Sequence, residues 1–590
     1  MVRRLRQSWL VALCLVVVAL PAFLGDFSVT LLNYIGINTL VALGLILLTG
    51  SGGLTSFGQA AFVGIGAYAT AYMSTALGLS PWWGLLAAIV LTSLVALLVG
   101  AATLHLGGHY LPVSTIAWGL AIYLLFGNFE SLGRYGGLRN IPPVELFSFS
   151  FAAMPQLYYL IWAFVGVAFL MATSLLDSRQ GRAIRALRGG SALSESLGIN
   201  VFVVRLAIFV IAAALAGIAG WLYAHMQRFV SPAPFDLRSG IEYLLMAVLG
   251  GAGYVSGALI GAAVVALSKN WLQDLLPHLT SNSGNLEIVV FGCLFILLLQ
   301  FSRGGIAPLL VSRLPKTESQ SSVKLDASEL PVRRQPLKGE PLLELRGVSK
   351  SFGGLKAVSE VSFHVHAGEL VALIGPNGAG KSTTFNLITG VLRLSSGSVW
   401  FAGHNLGDVS ARRVIDVGIA RTFQHVKLRP KMSVLENVML GAYSRTKAGF
   451  FSGALRLDRS EETSVIALAR RQIDRVGLAG LAVTEAGNLA LGQQRLAEIA
   501  RALAADPMLL LLDEPAAGLR ALEKQSLAAL LKDLRNAGTT VLLVEHDMEF
   551  VMSLADRIVV LDFGRKLAEG TPDAVRNNPA VQEAYLGGLA

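Results

Sequence analysis

Two short segments of this chain carry residue types that handle phosphate. Gly375-Pro376-Asn377-Gly378-Ala379-Gly380-Lys381-Ser382, followed by Thr383, is spaced as G-x-x-x-x-G-K-[ST]. Glycines there permit a tight loop whose N–H groups point at phosphate oxygens. The lysine reaches the β- and γ-phosphates, and the serine hydroxyl takes Mg²⁺. The second segment is the apolar run Leu509–Leu512, ending in Asp513 and Glu514. Asp513 is placed to hold Mg²⁺ through water, and Glu514 to polarise an attacking water as general base. A solvated acidic turn is the plain alternative for these carboxylates; a phosphate loop upstream argues against it.

Such groups need rigid elements to carry them. Leu370–Ile374 precedes the glycine-rich loop as a short apolar strand, and Lys381–Thr389 follows it as a helical stretch. Leu509–Leu512 and Val541–Val544 are further strands without polar alternation. Near-continuous apolar strands fit a parallel sheet covered on both faces, which makes residues 341–590 an α/β domain.

The residues between these anchors narrow the class. Gln424 stands in Arg421-Thr422-Phe423-Gln424, the run Leu489-Ala490-Leu491-Gly492-Gln493-Gln494-Arg495 precedes the Asp513 strand, and His546 follows Val541–Val544. In this order the set resembles the nucleotide-binding domain of ABC transporters. The resemblance implies that Gln424 contacts Mg²⁺ and links the site to the membrane half. It implies that Leu489, Gly492 and Gln493 belong to a signature loop covering the partner domain's ATP, that His546 contacts the γ-phosphate, and that Phe352 stacks on adenine. ATP and Mg²⁺ are the implied cofactors, with Gly375, Asn377, Gly378, Gly380, Lys381, Ser382 and Thr383 around the phosphates. Ser382, Gln424 and Asp513 would serve the metal. One signature per chain cannot complete a site, so a second ATPase domain is required. Ala490 replaces the commoner serine, and Arg520 stands where the subgroup usually has asparagine.

The rest of the chain has another solvent. Apolar residues make up 54% and charged residues 15%, against about 25% charged in ordinary soluble domains. Long apolar stretches fill residues 1–311: Trp9–Leu24, Val29–Leu48, Phe57–Leu77, Trp82–Leu104, Leu111–Phe126, Leu157–Leu176, Leu206–Tyr223, Ile241–Leu267 and Ile288–Phe301. Most approach the ~20 residues that cross a bilayer as helix. Arg3, Arg4 and Arg6, and the later group Arg179, Arg182, Arg185 and Arg188, mark the cytoplasmic side. Parity with a cytoplasmic ATPase then requires a break in Ile241–Leu267 at Gly250-Gly251-Ala252-Gly253. The expected fold is a polytopic α-helical membrane domain of about ten segments followed by the ATPase domain. The first span is read as uncleaved rather than as a signal peptide. Residues 312–340, rich in Ser, Lys, Arg, Glu and Pro, read as a flexible linker reaching roughly 30 Å.

The net charge of +10 suits contact with anionic lipid. No basic run with interleaved aromatics points to nucleic acid. Cys14 and Cys293 lie in apolar runs and are read as buried free thiols.

Both halves resemble the branched-chain amino acid uptake family of ABC transporters. Gly375–Thr384, Ile419–His425, Gly487-Asn488-Leu489-Ala490 and Val581–Leu586 carry the likeness in the ATPase half. Gly52-Gly53-Leu54-Thr55-Ser56-Phe57-Gly58-Gln59-Ala60-Ala61-Phe62 and Gly64–Tyr68 carry it in the membrane half. Ser178–Asn200 resembles the family's coupling loop, its arginines at helical spacing, with Gly189-Gly190 where acidic residues are usual. This likeness implies a fused permease and ATP-binding subunit of an importer in a bacterial inner membrane. It would work with a second permease and a second ATPase, as a heteromer rather than a homodimer, and with a periplasmic solute-binding protein. Glu130, Glu145 and Glu242 lie in loops or near helix ends, which suits a zwitterionic or neutral solute. The alternatives are an exporter half-transporter, a urea, amide or aromatic-acid importer of the same family, and a membrane-tethered ATPase that moves no solute.

Overall fold

The computed structural model describes residues 18–104, 110–279, 304–311 and 329–586, with isolated positions between 292 and 300. The chain divides into two compact units: residues 1–177 with 202–317, and residues 178–201 with 318–590.

The first unit is helical. Its helices are α1 Asp26–Leu45, α2 Gln59–Thr75, α3 Pro81–Thr103, α4 Tyr110–Asn128, α5 Met154–Leu176, α8 Val201–Gln227, α9 Leu237–Gly250 and α10 Gly257–Leu279. (The numbers α6 and α7 belong to two short helices of the second unit, Arg179–Ala186 and Ser191–Ser196.) Among the described residues, five helices are long and apolar enough to cross a membrane: α1 with its π-helical extension Ile46–Ser51, α3, α4, α5 and α8. Large apolar side chains such as Leu98, Val113 and Leu170 point outward from them, as lipid-facing surfaces do. Small residues set the crossings. A methyl group on Gly66 would lie 2.3 Å from Gly217 O, and one on Gly220 would lie 2.0 Å from Val63 O. α2 and α8 therefore meet backbone to backbone.

The expected break in Ile241–Leu267 is present. α9 stops at Gly250, Gly251 has φ +108°, and α10 begins at Gly257. Cys293, expected to be buried, is exposed; an apolar helix surface meant for lipid needs no protein cover. The Arg3–Arg6 group, Cys14, most of Trp9–Leu24 and most of Ile288–Phe301 lie outside the described residues, as does the expected linker as far as residue 328.

The second unit holds two sheets. β1 (Pro341–Phe352), β2 (Leu355–His366), β4 (Ser396–Phe401) and β5 (His404–Asn405) form an antiparallel sheet in the order β2-β1-β4-β5. β3 (Leu370–Ile374), β6 (Ile419–Arg421), β7 (Leu509–Asp513), β8 (Thr540–Val544), β9 (Arg557–Asp562) and β10 (Arg565–Gly570) form the other, in the order β6-β7-β8-β3-β9-β10. All its neighbours are parallel except β9 and β10. β3, β7 and β8 are buried at every position, the cover on both faces that their unbroken apolar text required. Helices α11 (Lys381–Ile388), α12 (Val434–Gly441), α13 (Arg459–Arg475), α14 (Leu491–Leu503) and α15 (Ala521–Asn536) complete it. Val581 of the C-terminal helix Pro579–Leu586 is in the core.

Candidate functional site

Parallel register brings the chemistry to one edge. Leu373 pairs with Val544, and Val544 with Asp513. The strands that deliver the glycine-rich loop, the acidic pair and His546 therefore end side by side, where open α/β sheets bind ligands. Gly380 caps α11 at φ +94°, and a methyl group there would lie 2.6 Å from Ala357 O. Only glycine fits both demands. Lys381 is buried; its Nζ donates to Gly375 O (2.7 Å) and Pro376 O (3.0 Å), so the loop's own carbonyls hold the ammonium. Burial pushes the Lys381 pKa down, against the pull of Glu514 and Asp513. Asn377, Gly378 and Ser382 are exposed, and Thr383 is half-buried.

Asp513 is 5% exposed, and burial raises its pKa although Arg421 Nη2 lies 3.5 Å away. Its other oxygen, Oδ1, has no partner among the described residues. An unpartnered buried carboxylate oxygen, on the same sheet edge as the exposed Ser382, fits a hard divalent cation that keeps most of its own waters. Glu514 has φ +46°, a strained setting for a side-chain-bearing residue. Its Oε2 accepts from Gln424 Nε2 at 3.1 Å and lies 3.7 Å from His546 Nδ1. The fold thus gathers Lys381, Asp513, Glu514, Gln424 and His546 into one cluster. Phe352 ends β1 and is 46% exposed, with Lys350 Nζ 5.2 Å from its ring centroid.

The signature segment begins α14. Leu489 and Gly492 are buried, Gln493 is half-buried, and Ala490 and Leu491 are exposed. Gln493 Oε1 accepts from Ala490 N (3.1 Å), so it caps its own helix. A methyl group on Gly492 would lie 2.5 Å from Glu523 Oε1.

The structure adds residues that the sequence left unread. Arg495 donates to Phe423 O (2.9 Å) and Gln424 O (2.6 Å), which ties the signature helix to the glutamine loop. Buried Glu498 accepts from Lys427 N at 2.8 Å, and Arg501 donates to Lys427 O at 2.8 Å. Glu545 is fully buried and accepts from Ala516 N (2.7 Å) and His546 N (3.1 Å), with burial raising its pKa. It joins the turn after Glu514 to the histidine loop. A carboxylate abutting an unbroken apolar strand was the available signal, because a buried charge needs partners.

Ser178–Val201 belongs to this second unit. α6 (Arg179–Ala186) is capped by Ser178, whose side chain accepts from Gly181 N. Arg179 stacks 3.7 Å from the Tyr443 ring centroid and donates to Tyr443 O and Ala448 O. Arg182, 5% exposed, makes a two-pronged pair with Glu462 at 2.7 and 2.8 Å, and Arg185 pairs with Glu436 at 2.8 Å. The expected helical spacing covers these three arginines only. Arg188 falls in a tighter turn, Leu187–Gly189, before Gly190 at φ +93°. Arg179, Arg182 and Arg185 thus meet protein. Ser191 and Glu195 of α7 (Ser191–Ser196) line an open cleft of ≈ 980 Å³ that reaches Arg421 and Phe423, next to Gln424.

Comparison with known proteins agrees with this geometry. Residues 27–299 match the family described as "Branched-chain amino acid transport system / permease component". Residues 358–517 match "ABC transporter", and residues 565–590 "Branched-chain amino acid ATP-binding cassette transporter". The ATP-binding protein LivG of Escherichia coli (strain K12), described as serving high-affinity branched-chain amino acid transport, is 43% identical over 251 residues. That match covers 42% of this chain and 98% of LivG. The chain belongs to the branched-chain amino acid ABC transporter family. BraF of Pseudomonas aeruginosa, an ATP-binding protein with the same described role, is 41% identical over 250 residues, 42% of this chain and 98% of BraF. A crystal structure of a nucleotide-free ATP-binding cassette from an ABC transporter is 31% identical, covering 42% of this chain and 98% of that one, with a TM-score of 0.38. LivG and BraF are matched only by the second half, so this member of the family carries permease and ATPase in one polypeptide. It binds ATP and couples its hydrolysis to transport. Its permease half makes it a membrane protein with the ATPase half in the cytoplasm, and it works with partner subunits and a solute-binding protein.

Proposed function

We propose that this chain is the permease-and-ATPase subunit of an importer of branched-chain amino acids or a related small polar solute, in a bacterial inner membrane. Residues 1–311 form the pathway, 312–340 the connection and 341–590 the engine. The observation that carries this is α6, covalently part of the permease text yet fastened to the ATPase by Arg179, Arg182 and Arg185. Import is favoured over export because the first half matches the permease component of a branched-chain amino acid transport system, and the chain resembles uptake transporters in both halves. A tethered ATPase without transport would have no use for that half.

Lys381 leaves its own loop carbonyls to take the β- and γ-phosphates, joined by the N–H groups of Asn377–Thr383. Phe352 stacks on the adenine. Ser382, Asp513 and Gln424 would hold Mg²⁺, which supplies charge neutralisation between the phosphates. Glu514 accepts a proton from the attacking water, and His546 donates to the γ-phosphate. Arg495 passes the position of Gln424 to the signature helix. Leu489, Gly492 and Gln493 face the ATP of a second ATPase domain, in a heteromer that also contains a second permease. Closure of that pair moves α6 and with it the membrane path.

The test is leucine accumulation by vesicles containing the complete transporter, given binding protein outside and ATP within. Accumulation should be lost with Lys381→Ala. Equal accumulation by that variant would refute the coupling, and transport of urea but not leucine would refute the solute.

A further inference from the structure

We propose that the side-chain amide of Gln59 binds the zwitterionic head group of the solute inside the permease. The inference rests on the amino-acid import reading and adds a site to it. Gln59 is the first residue of α2 and is 0% exposed, yet among the described residues neither its Nε2 nor its Oε1 has a hydrogen-bond partner. Two orphaned polar atoms in a lipid-embedded core are destabilising. Such a defect is retained where function uses it.

The backbone around Gln59 is built for a ligand rather than for stability. α1 passes into the π-helix Ile46–Ser51, a form common at functional sites. The chain then runs without helix to Gly58, with Leu54 and Ser56 buried. Non-helical backbone at this depth is tolerated where protein encloses it or where it lines a path. No described side chain caps α2, whose N-cap is Gly58. Seventeen residues give its N-terminus a full share of positive potential. Helical side chains lean toward the N-terminus, which sets the Gln59 amide at that end of the helix, where Ala61 N donates to Gly58 O at 3.2 Å. α9 presses on the same place with its first turn: a methyl group on Gly240 would lie 2.3 Å from Phe57 O.

The chemistry selects the ligand class. The amide N–H₂ and the helix end suit a carboxylate, and the amide oxygen suits an ammonium. The charges on α9 are not in reserve for this task, since Glu242 is engaged by Lys269 (3.1 Å) and Arg238 (3.7 Å).

Gln59→Met keeps the length and removes both polar atoms. In the complete reconstituted transporter at saturating binding protein, leucine moved per ATP hydrolysed should fall at least roughly tenfold, the least that losing a hydrogen bond to a charged group gives. The variant chain should also unfold at a higher temperature than the wild type without solute. Gln59→Glu, which opposes carboxylate to carboxylate, should transport still less per ATP. Wild-type leucine per ATP in either variant overturns the site, and so does a lowered unfolding temperature in Gln59→Met with transport intact, which marks a structural amide. Should the wild-type transporter itself move no leucine, the import reading fails first and this inference with it.

Discussion

The sheet edge of the ATPase and the helix break of the permease both hold buried polar groups, but they treat them in opposite ways. At the sheet edge most groups are answered within the protein. Lys381 holds two loop carbonyls, and Glu545 takes two backbone N–H groups. At the helix break the Gln59 amide has no partner among the described residues. An ATPase site open to water can be kept in order by its own side chains until nucleotide displaces them. A membrane site that satisfied itself would have no affinity left for a solute arriving without its water. Asp513 Oδ1 is among the atoms left open there, and it is the oxygen of the acidic pair suited to an ion from outside.

That contrast can be attacked at its strongest point first. Glu514→Gln should lower the steady-state ATPase rate on the order of 10²–10⁴-fold, the usual contribution of a general base, while ATP still binds by fluorescence titration. Undiminished turnover would remove Glu514 from the proton transfer. Next, Leu512→Ala in the fully buried β7 should cost about 2–5 kcal/mol of stability in denaturant unfolding. The mutation empties the layer that aims Asp513, so a cost below about 1 kcal/mol would mean that the sheet edge is not held by its core.

Arg182→Ala leaves Glu462 without its two-pronged partner. Removing one member of such a buried pair costs about 3–5 kcal/mol, drawn here from the docking of α6. The expected signature is continued ATP hydrolysis with lost accumulation of solute, and Glu462→Ala should reproduce it. Normal transport in both would show that α6 is held by packing alone. The smallest effect concerns pH. Burial would raise the Glu436 pKa, but Arg185 and Ser433 outweigh burial and hold it below its ordinary value of 4.5. A depressed folded pKa contributes stability that is complete above the unfolded value and lost as pH falls through the folded one. The difference in unfolding temperature between wild type and Glu436→Gln should thus be constant down to about pH 4.5 and shrink below it. A difference that instead grew below that pH would mean that folding raises the Glu436 pKa.

Much of the ATPase site was legible because its motifs are local. A strand, a loop and the start of a helix fit within Leu370–Ile388, so residue spacing alone describes the phosphate loop. The break at Gly251 was legible for the same reason. The partners of α6 were not: Arg182 and Glu462 lie 280 positions apart, and nothing in either neighbourhood names the other. Glu545 was not legible either, because a lone carboxylate after a strand does not show whether it is buried or solvated. Only packing shows that its carboxylate is buried and bonded on both oxygens.

By itself, the amino-acid sequence determined that one half of this protein meets lipid and the other binds nucleotide, since solvent preference and short-range spacing are written residue by residue. Tertiary structure decided which buried groups are satisfied and which are left open. That property belongs to neighbours brought together from distant positions, and no run of residues contains it.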